Sequence, residues 1–158
     1  MRSSFTIGLS FGLTSGVITT VGLMVGLYAG THSPTAVLGG IFTIAVADAL
    51  SDAMGIHLAE ESTKTGPVRH IWEATAATFV AKFLTALSFA APVLLLSLET
   101  AIWVSILWGI LLLTLLSYFI GKRQHVKPWK AIMEHLLIAS CVVAASYFVG
   151  QWAKQIME

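Results

Sequence analysis

Five apolar stretches, each long enough to cross a bilayer, constrain this chain more than any other feature. They cover residues 5–29, 36–59, 71–97, 101–121 and 129–152. A spanning helix needs about 20 mainly apolar residues. In hydrocarbon, only helices and closed barrels satisfy every backbone polar group. Unbroken apolar runs of this length select helices. Composition agrees: 56% of residues are hydrophobic and 11% are charged, against about 25% charged in a soluble domain. The mean hydropathy is +0.83. The expected fold is an all-α integral membrane protein, one transmembrane domain over 1–158 with five helices. The formal net charge of +1 gives no drive toward nucleic acid. The single cysteine, Cys141, supports neither a disulfide framework nor a zinc site. The first stretch runs to about Tyr28, longer than a signal-peptide core, and reads as a span rather than a cleaved leader.

Short polar breaks separate the spans: 30–34, 60–67, Glu99-Thr100 and 122–128. Trp72, Trp103, Trp129 and Trp152 fall at span ends, as an interfacial aromatic belt requires. Trp108 falls mid-span and has no such explanation. Arg2, Lys64, Arg69, Lys122, Arg123, Lys127 and Lys130 fall on one side of a five-span arrangement, with Lys154 on the other. The positive-inside rule then puts the N-terminus in the cytoplasm and the C-terminus outside or in a lumen. A prokaryotic plasma membrane is the expected location.

Charges inside the spans carry the functional signal. Asp48 and Asp52 share one face of the second span, and Lys82 lies in the third. Charged side chains within a bilayer are costly, and they mark functional sites by default. At 1.5 Å per residue, Asp48 and Lys82 both lie roughly 16 Å from the cytoplasmic ends of their spans, and Asp52 roughly 10 Å. Thr75, Thr78, Lys82 and Thr85 form a polar stripe, as expected of a face turned to a bundle interior. Two carboxylates one turn apart repel each other, so protons or a cation relieve the pair. Ser10, Thr14, Ser51 and Thr78 form a candidate polar path, and Ser15 is a further oxygen donor on the first span.

His57, Glu60 and Glu61 sit at the mouth of the second span, with Glu73 near the start of the third. Carboxylate and imidazole ligands suit first-row divalent metals. The candidate metal set is therefore Asp48, Asp52, His57, Glu60 and Glu61, with a divalent cation as substrate rather than resident cofactor. The competing readings are structural: a buried Asp–Lys lock and a solvated loop edge around Glu60 and Glu61. Met24, Met54 and Met133 read as packing residues, and Glu134 and His135 as headgroup-facing. The first span carries two glycine rows, Gly8-Gly12-Gly16 and Gly22-Gly26-Gly30. Such rows allow close helix approach, within a subunit or across a homodimer. The expected partners are lipid and a second copy through span one.

Several runs resemble the vacuolar iron transporter family. They are Gly8-Leu9-Ser10-Phe11-Gly12-Leu13-Thr14-Ser15, Ala47-Asp48-Ala49-Leu50-Ser51-Asp52-Ala53-Met54-Gly55, Ser88-Phe89-Ala90-Ala91-Pro92 and Tyr147-Phe148-Val149-Gly150. The resemblance implies five spans, a dimer and exchange of Fe²⁺ or Mn²⁺ for protons. Phe11 stands where the family has an aspartate, Asp52 where it has a methionine, and Ile56 where it has a glutamate. The family's metal-binding domain between spans two and three is absent.

The leading reading is a proton-coupled divalent cation transporter using Asp48, Asp52 and Lys82. The alternative is a non-transporting membrane subunit or scaffold. An enzyme is not expected. Intramembrane aspartyl chemistry needs carboxylates that face each other, usually from separate helices, and no Gly-x-Ser-x-Gly run is present.

Overall fold

A computed structural model of the protein describes residues 4–63, 67–123 and 127–157. Arg2 and Lys64, used above for orientation, lie outside the described residues, as do the loop residues Thr65, Gly66, Gln124, His125 and Val126. Every described element is helical, and five helical stretches are long and apolar enough to cross a membrane. The protein is therefore an all-α chain built for a bilayer, as its hydropathy requires.

The first span is one helix, α1 (Ser4–Thr31). It ends where His32 takes a positive φ of 49°. Ser33 then caps the next helix by accepting the Ala36 N–H at 3.2 Å, with Pro34 in the first turn.

The second span comprises α2 (Pro34–Thr43), a π-helical turn over Ile44–Asp48, and α3 (Ala49–Ser62). The apolar pattern predicts one continuous helix here, and the wide turn is a departure with a physical cause. Val37, Ile41, Ala45, Ala49 and Ala53 are all buried, at steps of four. A regular helix has 3.6 residues per turn, so each such step overshoots by roughly 40°. The wide turn takes up part of that drift and keeps the buried row facing inward. Wide turns of this kind often accompany functional sites, and this one ends on Asp48.

The third span is also divided, into α4 (Val68–Ser88) and α5 (Ala90–Leu95). Pro92 is the cause. It lacks an N–H, and its ring crowds the carbonyl four residues earlier, that of Ser88. The break turns Phe89 fully into the core beside Val17, Val21 and Ile102. It also places Ser88 Oγ 3.1 Å from Trp108 Nε1 of the fourth span, α6 (Leu98–Arg123). That bond accounts for the tryptophan that no interface explained.

The fifth span is α7 (Pro128–Met157). Among its described residues only Gly150 is buried. His135, expected among headgroups, instead faces α6, with Nδ1 2.7 Å from the buried Ser117 hydroxyl. A ring nitrogen finds a better partner in that hydroxyl than a long reach to the interface provides.

α1 is the centre of the bundle and packs on α4, α7 and α6. Its two glycine rows divide the work. Gly8, Gly12 and Gly16 lie against Ala74, Thr78, Lys82 and Thr85 of α4. Gly22, Gly26 and Gly30 lie against Val142, Ser146 and Gly150 of α7. Both rows therefore pack against other helices of the same chain. The cause is the offset between the rows, which turns them toward different neighbours.

Candidate functional site

Three elements converge at mid-span. α4 supplies Lys82, the turn and helix of the second span supply Asp48 and Asp52, and α1 supplies Ser15. Lys82 Nζ lies 2.5 Å from Asp52 Oδ2, 2.6 Å from Asp48 Oδ2 and 3.0 Å from Ser15 Oγ. Ser15 Oγ in turn donates to Asp52 Oδ2 at 2.6 Å. An ammonium has three donors and no acceptor, and here it hydrogen-bonds to Asp52 and Ser15 and pairs with Asp48. The Lys82 side chain is 0% exposed, against 37% for Asp48 and 21% for Asp52. The cation is sealed while the carboxylates keep an open edge.

Sequence depth placed Asp48 and Lys82 at one level, and the structure brings them together. It also resolves which aspartate Lys82 meets: both. Thr78 belongs to the same face of α4 but has a different task. It is fully buried, with its hydroxyl 2.9 Å from Ala74 O and 3.2 Å from Gly8 O. That second contact crosses to α1, where Gly8 has no side chain to block it. Thr14 donates to Ser10 O within α1, and Ser51 lies on the exposed side of the second span. The four residues of the expected polar path thus do not line one channel.

The expected metal set is also divided, and this corrects the sequence reading. Asp48 and Asp52 hold Lys82. His57 Nδ1 lies 3.0 Å from Thr75 Oγ1, and its ring meets the Trp72 ring edge-on at 4.8 Å. The Thr75 hydroxyl donates to Ile71 O, which leaves its oxygen free to accept from the imidazole. Glu60 accepts from Ser4 Oγ at 3.2 Å, Glu61 is exposed, and Glu73 pairs with Arg69 at 2.8 Å. Among the described residues, no three His, Cys, Asp or Glu side chains come together as metal ligands. Helix direction explains the separation: His57, Glu60 and Glu61 follow Asp52 by roughly one and a half to two and a half turns and meet other neighbours.

Ser15 is the residue that spacing alone underrated. Its neighbours in sequence include other hydroxyls, and only the packing of α1 on α4 singles it out.

What this arrangement can do chemically is limited and specific. It holds one ammonium on two carboxylates with a net charge of one negative, at a depth where bare charge is costly. The donors around it are all oxygens, since Met54 is exposed on another side of its helix. If Lys82 withdrew, Asp48, Asp52 and Ser15 would offer an oxygen-only site for a proton or a hard cation. Comparison of the chain with protein-family profiles, curated proteins and solved structures finds no match in any of the three.

Proposed function

We propose that the protein is a proton-coupled transporter of a divalent cation, with Asp48 and Asp52 as the exchange site. Lys82 is the tethered charge that fills the site at rest. One observation supports this reading above the others: Lys82 Nζ lies within 2.6 Å of both carboxylates, yet the open edge belongs to the carboxylates. A divalent cation entering from that edge would displace the Lys82 ammonium and be neutralised by the two carboxylates, and two protons would take its place on them for the return step, so no uncompensated charge would cross the hydrocarbon. The oxygen donors suit Mn²⁺ better than softer ions, with Fe²⁺ the other candidate. Membership of the vacuolar iron transporter family and a prokaryotic plasma membrane belong to the same proposal and rest on the span motifs.

We place a homodimer contact on the second span rather than the first. Gly39, Thr43, Ala47, Ser51, Gly55 and Ala59 recur every four residues, and all are exposed. Small residues at this spacing let helices approach closely in lipid.

The test is Mn²⁺ uptake into proteoliposomes under a pH gradient. Wild type should accumulate Mn²⁺ and move protons the other way, and Asp48→Asn with Asp52→Asn should do neither. Equal uptake by both would overturn the transport reading.

A second reading is a structural lock in a non-transporting subunit. It is favoured by the complete burial of Lys82, its hydrogen bonds to Ser15 and Asp52 and its ion pair with Asp48. It requires that Lys82→Met with Asp48→Leu keeps both fold and function. A folded double variant that has lost uptake argues for the transporter.

A further inference from the structure

α7 packs its Val142, Ser146 and Gly150 face on the second glycine row of α1, while its Ala139, Val143 and Tyr147 face borders open space. Toward its C-terminus, Gly150 meets Gly26 and Gly30 of α1. Toward its N-terminus, His135 bonds to Ser117 of α6. The Ala139, Val143 and Tyr147 face of α7, with α1 and α6, borders a half-open cavity of about 620 Å³. Leu113 and Leu136 line its deep part, and Tyr28, Glu99, Trp103 and Tyr147 line its outer part. Along α6, Glu99 and Leu113 are about 21 Å apart at 1.5 Å per residue. The space is therefore long and mainly apolar, with Glu99 at its outer end.

Such a space has one natural class of occupant. Water finds few partners along apolar walls, and dry apolar cavities take up apolar guests. The volume lies within the range of roughly 300–1,000 Å³ typical of ligand sites. The mouth sets the headgroup. Glu99 is the one charged residue among the described lining residues, and the rings of Tyr28, Trp103, Tyr147 and Phe148 also line the space. A carboxylate with aromatic rings attracts an ammonium through both charge and cation–π contact. The same carboxylate repels an anionic head.

We propose that this cavity holds one acyl chain of a bilayer phospholipid whose amine-bearing headgroup sits on Glu99 among Tyr28, Trp103 and Tyr147. The lipid fills the gap that α7 leaves and completes the packing of a helix with a single buried residue of its own. This site is separate from the Asp48–Asp52–Lys82 cluster and does not depend on transport.

The experiment is native mass spectrometry of the purified full chain re-lipidated with phosphatidylethanolamine or phosphatidylglycerol of identical acyl chains. Wild type should retain one phosphatidylethanolamine per chain, with about a tenfold preference over phosphatidylglycerol. Glu99→Gln should bring the two lipids to equal retention. Ala139→Phe, which narrows the cavity, should lower retention of both, and Ser140→Phe serves if that variant does not fold. Equal retention of the two lipids by wild type overturns the proposal. So does a Glu99→Gln variant that still selects the amine, or a folded Phe variant that retains lipid as wild type does.

Discussion

Asp52 Oδ2 receives both Lys82 Nζ, at 2.5 Å, and Ser15 Oγ, at 2.6 Å. One carboxylate oxygen thus joins three helices, and the lysine it holds is wholly enclosed. Removing a carboxylate takes an anionic partner from an ammonium that is fully buried.

Loss of both carboxylates is the most severe change. Asp48→Asn with Asp52→Asn strands a fully buried ammonium, and breaking a buried pair in this way costs about 3–5 kcal/mol. Replacing all three by apolar residues of similar size, Lys82→Met with Asp48→Leu and Asp52→Leu, should be close to neutral for stability. Thermal unfolding in mild detergent separates the two cases. A triple variant less stable than the double one would contradict the assignment of burial.

The glycines of α1 and those of the second span should respond in opposite directions. A Cβ on Gly12 would meet Thr78 O and the Ala81 methyl, and neither can yield without moving α4. Gly12→Ala should therefore lose about 1–3 kcal/mol by overpacking. At Gly55 an added Cβ meets nothing within 4 Å. Gly55→Ala should gain about 0.5–1 kcal/mol from the lower backbone entropy of the unfolded chain. The melting temperatures of the two variants in one detergent give the comparison.

Phe89 marks the proline break in the third span and is one of the largest fully buried side chains. Phe89→Ala should destabilise by about 3–5 kcal/mol. The polar cluster is built on other residues, so the same variant should leave Lys82 paired. Denaturation in mixed micelles reads the first effect.

The proposed dimer predicts a change of mass. Gly55→Leu places a bulky side chain in the row of small residues, while the chain's own contacts are untouched. Light scattering with detergent correction should show the wild type as a dimer and the variant as a monomer. An unchanged mass would move the contact elsewhere.

Hydropathy alone determined that this chain makes helices across a bilayer, because a backbone in hydrocarbon has no other way to satisfy its hydrogen bonds. Residue spacing also determined that Asp48 and Lys82 belong to one level, with Asp52 one turn away on the same face, since helical rise is constant. Pro92 made a break in the third span legible in principle, although an apolar pattern does not show it. Tertiary structure decided the rest. Which neighbour each glycine row of α1 receives depends on how five helices share one core. Ser15, rather than Ser10 or Thr14, joins the cluster because α1 presents that side to α4. The wide turn at Ile44–Asp48 follows from a buried row whose step does not match the helix. The separation of His57, Glu60 and Glu61 from the two aspartates follows from the same geometry. A periodic pattern records depth and face, but the angle between two faces is a property of the packed bundle.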